Sequence, residues 1–222
     1  MPRSFRADAM LLLRLRGLRF IISGSEFIPT AGPFLVTINH YASPTLRPWW
    51  PVLSISATVP VEIHWTMTSA WTNSGLLSPL SRWLFPKVAA LYGFTPMPPM
   101  PPTHQEAEDR AAAVRHVLDY AHRSQAPVVG LAPEGRDFPG CLLGSPPPGA
   151  GRFIFLLCQY CQNILPAGVY ELDGTAHINF GSPYHPELPP GLSPTQKDVH
   201  VSNQVMHAIA LLLPEHLRGD YG

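Results

Sequence analysis

Six short runs of apolar and β-branched residues alternate with helical stretches, and this alternation constrains the fold more than any other feature of the chain. The runs predict strands at Phe20–Ser23, Pro33–Ile38, Ile63–Met67, Pro127–Ala132, Ile164–Val169 and His177–Phe180. Strands separated by helices are typical of a mostly parallel sheet flanked by helices. A chain of 222 residues suits one core, because cores grow to about 250 residues before they split. We therefore expect a single α/β domain.

Two helices have recognisable first turns. Thr103 with Glu106, and Ser193 with Gln196, have the spacing of a capping box, and Pro194 suits the first helical position. The apolar residues that follow each start recur at helical spacing. We expect both helices to pack on the sheet.

Two segments rich in proline and glycine predict loops. They are Thr95–Pro102 and Gly140–Gly151, and neither composition is suited to continuing a helix or a strand. Because proline fixes the φ angle, such loops either form rigid walls of a cleft or are plain surface excursions.

The first 22 residues are basic. Asp8 is the one acid among the first 20 residues, which carry the arginines Arg3, Arg6, Arg14, Arg16 and Arg19. Three of these interrupt the apolar stretch Met10–Ile22, whereas a membrane span needs about 20 mostly apolar residues and a signal peptide an unbroken apolar centre. We predict that residues 1–22 form a basic amphipathic helix, which lies on an anionic membrane or packs with a solvated arginine face. Residues 23–222 then form the α/β domain. The remainder offers no basic face for nucleic acid.

The cysteines predict a reducing, cytoplasmic location. Only Cys141, Cys158 and Cys161 occur, too few for a disulfide framework. Cys158 and Cys161 form a C-x-x-C pair within an apolar helical stretch, with no second pair at zinc spacing. We expect them in the core, and we expect no metal site.

The first candidate site follows the predicted strand at Pro33–Ile38. Asn39 and His40 come directly after it, and Ser43 and Pro44 have the pattern of a helix N-cap and first residue. Open α/β sheets bind ligands at the carboxyl ends of their strands. A helix N-terminus disfavours the charged imidazolium, so His40 would be a neutral general base. The alternative is a structural histidine.

The second candidate site follows the strand at Pro127–Ala132. Glu134, Gly135, Arg136 and Asp137 form a sudden polar cluster in a chain with only 14% charged residues. This strand should end at the same edge as His40, and Arg136 has the fork that binds phosphate or carboxylate. The alternative is a solvated turn. No G-x-S-x-G, H-E-x-x-H or G-x-x-x-x-G-K-[ST] motif occurs, which argues against a hydrolase, a zinc protease or a P-loop enzyme.

Four blocks in the stretch from about Ser23 to Ser182 resemble the glycerophospholipid acyltransferase family, of the 1-acylglycerol-3-phosphate (lysophosphatidic acid) acyltransferase type. The blocks are Asn39-His40, Gly93-Phe-Thr-Pro-Met97, Pro133-Glu-Gly-Arg136 and Ile164-Leu-Pro-Ala-Gly-Val169. The resemblance implies an acyl-CoA or acyl-carrier-protein donor, a lipid hydroxyl acceptor, no cofactor besides the donor, a role in phospholipid biosynthesis and a peripheral position on a membrane. It implies that His40 is the base. The implied acceptor-site residues are Asn39, Glu134, Gly135, Arg136 and Asp137.

The chain departs from the family pattern at three points. Thr45 stands at the catalytic position where the family's Asn-His-x4-Asp motif has its Asp, which would orient the imidazole. No Arg or Lys occurs between Tyr92 and Pro102, where the family has a phosphate-binding Arg, and Glu-Gly-Arg-Asp replaces Glu-Gly-Thr-Arg. Asp137 and Glu134 are candidates for the missing carboxylate.

Three functions follow from these residues. The first is an acyltransferase with an altered acceptor. The second is a catalytically silent protein that binds lipids or acyl thioesters, and the third is a thioester hydrolase. A carboxylate within hydrogen-bond distance of His40 favours an enzyme, and a His40 without such a partner favours the binding protein.

Overall fold

The structure is a computed structural model that describes residues 2–43, 46–47, 49–69, 77–99 and 104–222. Within these residues one sheet has seven strands: β1 Phe20–Ser23, β2 Phe34–Ile38, β3 His64–Thr68, β4 Thr95–Met97, β5 Val128–Leu131, β6 Ile164–Leu172 and β7 Thr175–Phe180. The helices are α1 Phe5–Arg16, α2 Trp49–Thr58, α3 Leu77–Tyr92, α4 His104–Arg123, α5 Ala150–Cys161 and α6 Pro194–Ala210. The predicted single α/β domain is confirmed.

The strands run in the order β1-β7-β6-β2-β5-β3-β4, and every neighbouring pair is parallel except the hairpin of β6 and β7. The central strand β2 is buried at every position, from Phe34 to Ile38, because helices cover both faces of a parallel sheet. Its neighbour β5 carries Gly130, where a Cβ would lie 2.4 Å from Cε3 of Trp65. Close packing therefore joins β5 to β3, and the candidate site follows β2 and β5.

All six predicted strands are present, but the prediction of a loop over the whole of Thr95–Pro102 is wrong. Thr95–Met97 forms β4, which pairs with β3 at one edge of the sheet. Proline is tolerated in an edge strand, where one side of the backbone needs no partner, so Pro96 does not prevent pairing. Residues 100–102 lie outside the described part of the chain.

The helix starts give a mixed result. Ser193 and Gln196 form the predicted capping box at the start of α6. Thr103 lies outside the described residues, and α4 begins at His104. The predicted loop Gly140–Gly151 ends earlier than expected, because α5 already begins at Ala150. The Asp198 carboxylate accepts hydrogen bonds from the N–H groups of Gly149 (2.7 Å) and Arg152 (2.8 Å), and so caps α5 from α6.

The prediction that Ser43 caps a helix beginning at Pro44 is wrong. Residues 46 and 47 are not helical, and the next helix within the described residues, α2, begins at Trp49. The Ser43 hydroxyl instead accepts the N–H of Leu46 at 2.8 Å and donates to Oε2 of Glu171 at 2.8 Å. A helix dipole at Ser43 therefore gives no support to a neutral His40. Pro44 and Thr45 lie outside the described residues.

The N-terminal segment contains α1, which packs on α2. The Arg6 side chain donates to the carbonyl oxygen of Val59 at 2.9 Å, and the Tyr92 hydroxyl donates to Asp8 at 2.8 Å. Ala9 is buried against this support, while large apolar side chains such as Leu15 remain exposed. In the described part of the chain, no helix combines the length and the apolar character needed to cross a membrane.

Candidate active site

Asn39 closes the carboxyl end of β2 onto β6. Its buried side-chain amide donates to the carbonyl oxygen of Val169 at 2.8 Å and accepts the Val169 N–H at 2.7 Å. The amide thus makes the pair of bonds that a neighbouring peptide would make in a ladder. This side chain therefore fixes the backbone immediately before His40.

Glu134 fixes the backbone of His40 itself. Its Oε2 accepts the His40 N–H at 2.5 Å, and its Oε1 accepts the Gly144 N–H at 2.7 Å. The side chain is 1% exposed, and this burial raises the pKa of the carboxyl to about 7 despite the two donated bonds. One buried carboxyl therefore joins the strand end of β2 to the loop that contains Gly144.

A tight turn after β5 brings Glu134 and Asp137 to the two sides of His40. The Gly135 N–H donates to the carbonyl oxygen of Ala132 at 3.2 Å, and Gly135 has a φ of 66°. Few side chains tolerate this left-handed conformation, so glycine suits the position. The turn directs Glu134 inward beneath the His40 backbone and leaves Asp137 at the surface beside the imidazole.

The Asp137 carboxylate accepts a hydrogen bond from Nδ1 of His40. This bond is the main reason that the pKa of Asp137 is lowered, even though its side chain remains 58% exposed. A proton held on Nδ1 leaves Nε2 of a neutral imidazole as the acceptor. Among the described residues, Asp137 is therefore the carboxylate that contacts the imidazole, while Thr45 lies outside them.

Arg136 is separated from this group. Its guanidinium carbon lies 4.6 Å from the centre of the Phe138 ring, and its side chain is exposed. Arg136 is not among the residues that line the cavity beside His40, whereas Asn39, His40 and Gly135 are. The structure thus brings five of the predicted site residues together and leaves Arg136 on the outer surface of the turn.

A cavity of about 1050 Å³ opens beside His40. Its walls come from α1, α2, α3, α4, the start of α5 and β3, and they are mainly apolar, with Trp49, Trp65, Phe85 and Phe153 among them. Within the described residues no group of His, Cys, Asp or Glu side chains is arranged to hold a metal ion. The site therefore joins an acid–base pair to an apolar chamber.

Comparison with known proteins gives a structural match and no sequence match. No family model matches the chain, and no curated protein was found to be similar in sequence. The chain is similar to the crystal structure of the 1-acyl-sn-glycerophosphate (LPA) acyltransferase PlsC from Thermotoga maritima, with a TM-score of 0.52 and 13% identity. The match covers 94% of this chain and 78% of that one. The two chains share a fold.

Sequence reasoning missed two features of the site. Gly144, in the proline-rich segment, donates to Glu134, and nothing in the pattern of that loop signals this bond. Arg110 of α4 lines the cavity on the same side as Ala107, Ala111 and Val114. Helical spacing could have found Arg110, because an arginine within an apolar helical stripe faces the same way as the stripe.

Cys158 and Cys161 lie in the core, as predicted. Both are buried and free, and burial raises the pKa of each thiol to about 12. A thiol with such a pKa is neutral and unreactive near neutral pH.

Proposed function

We propose that this protein is an acyltransferase that moves a fatty acyl group from acyl-CoA or an acyl-carrier protein to a hydroxyl of a phospholipid-type acceptor. The hydrogen bond between His40 and Asp137 is the observation that carries the proposal. A general base needs a partner that sets its tautomer and stabilises its charged form, and Asp137 suits both tasks. The proposal therefore assigns Asp137 the work of the motif Asp that Thr45 replaces.

The reaction follows from the two ring nitrogens of His40. Nε2 accepts the proton of the acceptor hydroxyl as that oxygen attacks the thioester carbonyl carbon. The tetrahedral intermediate then breaks its C–S bond, and the imidazolium returns the proton to the departing thiolate. Asp137 stabilises the imidazolium between the two steps through the Nδ1 bond. Every bond and proton is accounted for by the two substrates and His40, without a further cofactor.

The cavity supports a fatty acyl substrate. Apolar side chains such as Trp65 and Phe153 make up most of its walls, and ligand sites of this kind bury an apolar body while a few polar groups orient the reacting end. His40 supplies such a polar group at the cavity wall. An acyl chain in this chamber would present its thioester carbonyl to Nε2.

We also propose that the protein is cytoplasmic and binds peripherally to a membrane. Leu15 of α1 is 72% exposed and Trp83 of α3 is 59% exposed, and both helices also line the cavity. Lys87 lies 3.5 Å above the Trp83 ring, and α1 ends in Arg14 and Arg16. Apolar side chains next to cations suit the boundary between acyl chains and anionic headgroups. The free cysteines suit a reducing compartment.

Acyl transfer by purified protein tests the proposal. Wild type and His40→Ala are incubated with acyl-CoA, or with an acyl-carrier protein, and a mixed lipid extract, and thiol release and new acylated lipids are followed by mass spectrometry. We expect transfer by the wild type and its loss in His40→Ala. His216→Ala, which removes an exposed histidine elsewhere, is the matched control and should transfer normally.

Two other outcomes would select the alternative functions. Donor binding without thiol release or acylated lipid in any assay would establish the catalytically silent binding protein. Thiol release that yields free fatty acid without an acylated lipid would establish a thioester hydrolase, in which water takes the place of the acceptor hydroxyl.

A further inference from the structure

Arg110 brings a cation into the apolar part of the cavity. It lies on the face of α4 that lines the cavity, together with Ala107, Ala111 and Val114. Arg115 also lines the cavity, but its side chain is exposed, whereas Arg110 is partly buried. Arg110 is thus the more enclosed of these two cations.

Among the described residues, the guanidinium of Arg110 has one hydrogen-bond partner. One of its five N–H groups donates to the carbonyl oxygen of Pro98 at 3.2 Å. Within the described ranges, no carboxylate forms an ion pair with Arg110. Burial lowers the pKa of the guanidinium, and no charge within the described residues offsets this effect. Removing an unpaired cation from water is unfavourable, so a ligand that supplies the missing anion gains the pairing energy.

The chemistry of that anion follows from the guanidinium. Its planar fork matches two oxygens of a phosphate or a carboxylate, and such charge-assisted bonds are stronger than neutral ones. A fatty acyl thioester has no carboxylate. The substrates that the proposed function implies do carry phosphate, on the coenzyme or carrier of the donor and on the head of a phospholipid-type acceptor.

We propose that Arg110 binds a phosphate group of one of the two substrates inside the cavity, an inference that rests on the proposed function. The bond to Pro98 places the guanidinium beside the loop after β4, and both residues line the cavity. The segment from 92 to 102 has no Arg or Lys of its own, so α4 supplies the cation on this wall. Arg110 is therefore a specificity-determining residue, separate from the acid–base pair.

Direct binding measurements test this inference without requiring turnover. The acceptor arm compares octanoyl glycerol 3-phosphate with monooctanoyl glycerol, and the donor arm compares octanoyl-CoA with the octanoyl thioester of N-acetylcysteamine. Each is titrated by calorimetry into wild type, Arg110→Gln and Arg110→Lys. The matched control is Arg123→Gln, which removes an exposed arginine from the end of the same helix.

We expect Arg110→Gln to lower the affinity for the phosphate-bearing probe of one arm by about 10- to 100-fold. Hydrogen bonds to charged groups contribute at this level. Its phosphate-free partner should bind as it does to the wild type, and the affected arm identifies the substrate that carries the phosphate. Arg110→Lys keeps the charge without the fork and should bind at an intermediate level, which also covers a failure of Arg110→Gln to fold.

Two results would overturn the inference. One is that Arg110→Gln loses affinity equally for probes with and without phosphate, or loses affinity for neither. Arg110 would then be only a structural partner of Pro98. The other is a wild type that binds neither phosphate-bearing probe. A protein that binds phosphate through Arg110 but transfers no acyl group would refute the proposed reaction and leave the phosphate site standing.

Discussion

The strand ends around His40 and the outer faces of α1 and α3 differ in what their side chains contact. Around His40 the side chains of Asn39, Glu134 and Asp137 all have partners within the protein. On α1 and α3, large apolar side chains such as Leu15 and Trp83 face solvent. The first region has a geometry that the fold itself determines. The second has an exposed apolar surface that a membrane would cover under the proposed function.

Single substitutions should also act differently in the two regions. At the strand ends, a one-atom change from carboxylate to amide alters a bond that orients the imidazole. On α1 and α3, no single side chain has a required geometry, and the effect of a substitution depends on the area it removes. Substitutions at the strand ends should therefore abolish function individually, whereas those on the helices should weaken it gradually.

The largest effect is expected from Asp137→Asn. The amide cannot stabilise the imidazolium and does not enforce a proton on Nδ1, so the transfer rate should fall by about 10²- to 10⁴-fold. Stability should change by less than about 0.5 kcal/mol, because the side chain is largely exposed. Steady-state transfer rates and urea unfolding check both statements, with the exposed Asp220→Asn as control. A rate within twofold of the wild type would remove Asp137 from the mechanism.

Glu134→Ala should have the largest effect on folding. It leaves the buried N–H of Gly144 and the part-buried N–H of His40 without an acceptor, and each such loss costs up to about 3 kcal/mol, less where the group is partly exposed. The free energy of unfolding should fall by about 2–5 kcal/mol, as measured in urea. Glu134→Gln keeps one acceptor and should lose less. Equal stability of the alanine variant and the wild type would show that the loop around Gly144 forms without this link.

The pH dependence of stability should distinguish the two carboxylates that contact His40. Burial raises the pKa of Glu134 from 4.5 to about 7, so the unfolded chain releases this proton first as the pH rises. Stability relative to Glu134→Gln should therefore fall between pH 4.5 and about 7, by up to about 3 kcal/mol. Asp137 acts in the opposite sense. Its lowered pKa contributes stability above its unfolded value that is lost as the pH falls. Urea unfolding at a series of pH values measures both effects. If the difference in unfolding free energy between the wild type and Glu134→Gln does not change with pH, the prediction for Glu134 is contradicted.

The strand ends were largely predictable from the sequence, and the contact between them was not. Parallel pairing of β2 and β5 brings their carboxyl ends to one edge, so Asn39, His40 and the segment 134–137 were expected together. Which carboxylate contacts the His40 imidazole depends on the turn at Gly135. The left-handed φ of Gly135 directs Glu134 inward, under the His40 backbone, and Asp137 outward, beside the imidazole. A periodicity pattern contains no information about such a dihedral angle.

The outer region was predictable to a lesser extent. An apolar residue in an amphipathic pattern is expected to be buried, and the pattern alone does not reveal that Trp83 and its neighbours on α3 stay exposed. The edge strand β4 was missed because Pro96 signals a loop in most contexts, and only its position at the end of the sheet makes it acceptable. Neither feature could be read from local composition, because composition does not specify what covers an element.

The smallest effect is expected from charge placed on α1. Leu15→Glu should weaken binding to anionic vesicles by about tenfold, because it replaces apolar area at the surface with a charge that anionic lipids repel. Its unfolding free energy should stay within about 0.5 kcal/mol of the wild type. Leu211→Glu is the matched control, since Leu211 at the end of α6 is 75% exposed against 72% for Leu15. Vesicle co-sedimentation measures the difference. If both variants lose binding equally, charge alone accounts for the effect and α1 has no special part in it. If Leu15→Glu alone loses binding, the apolar surface of α1 contacts the lipid.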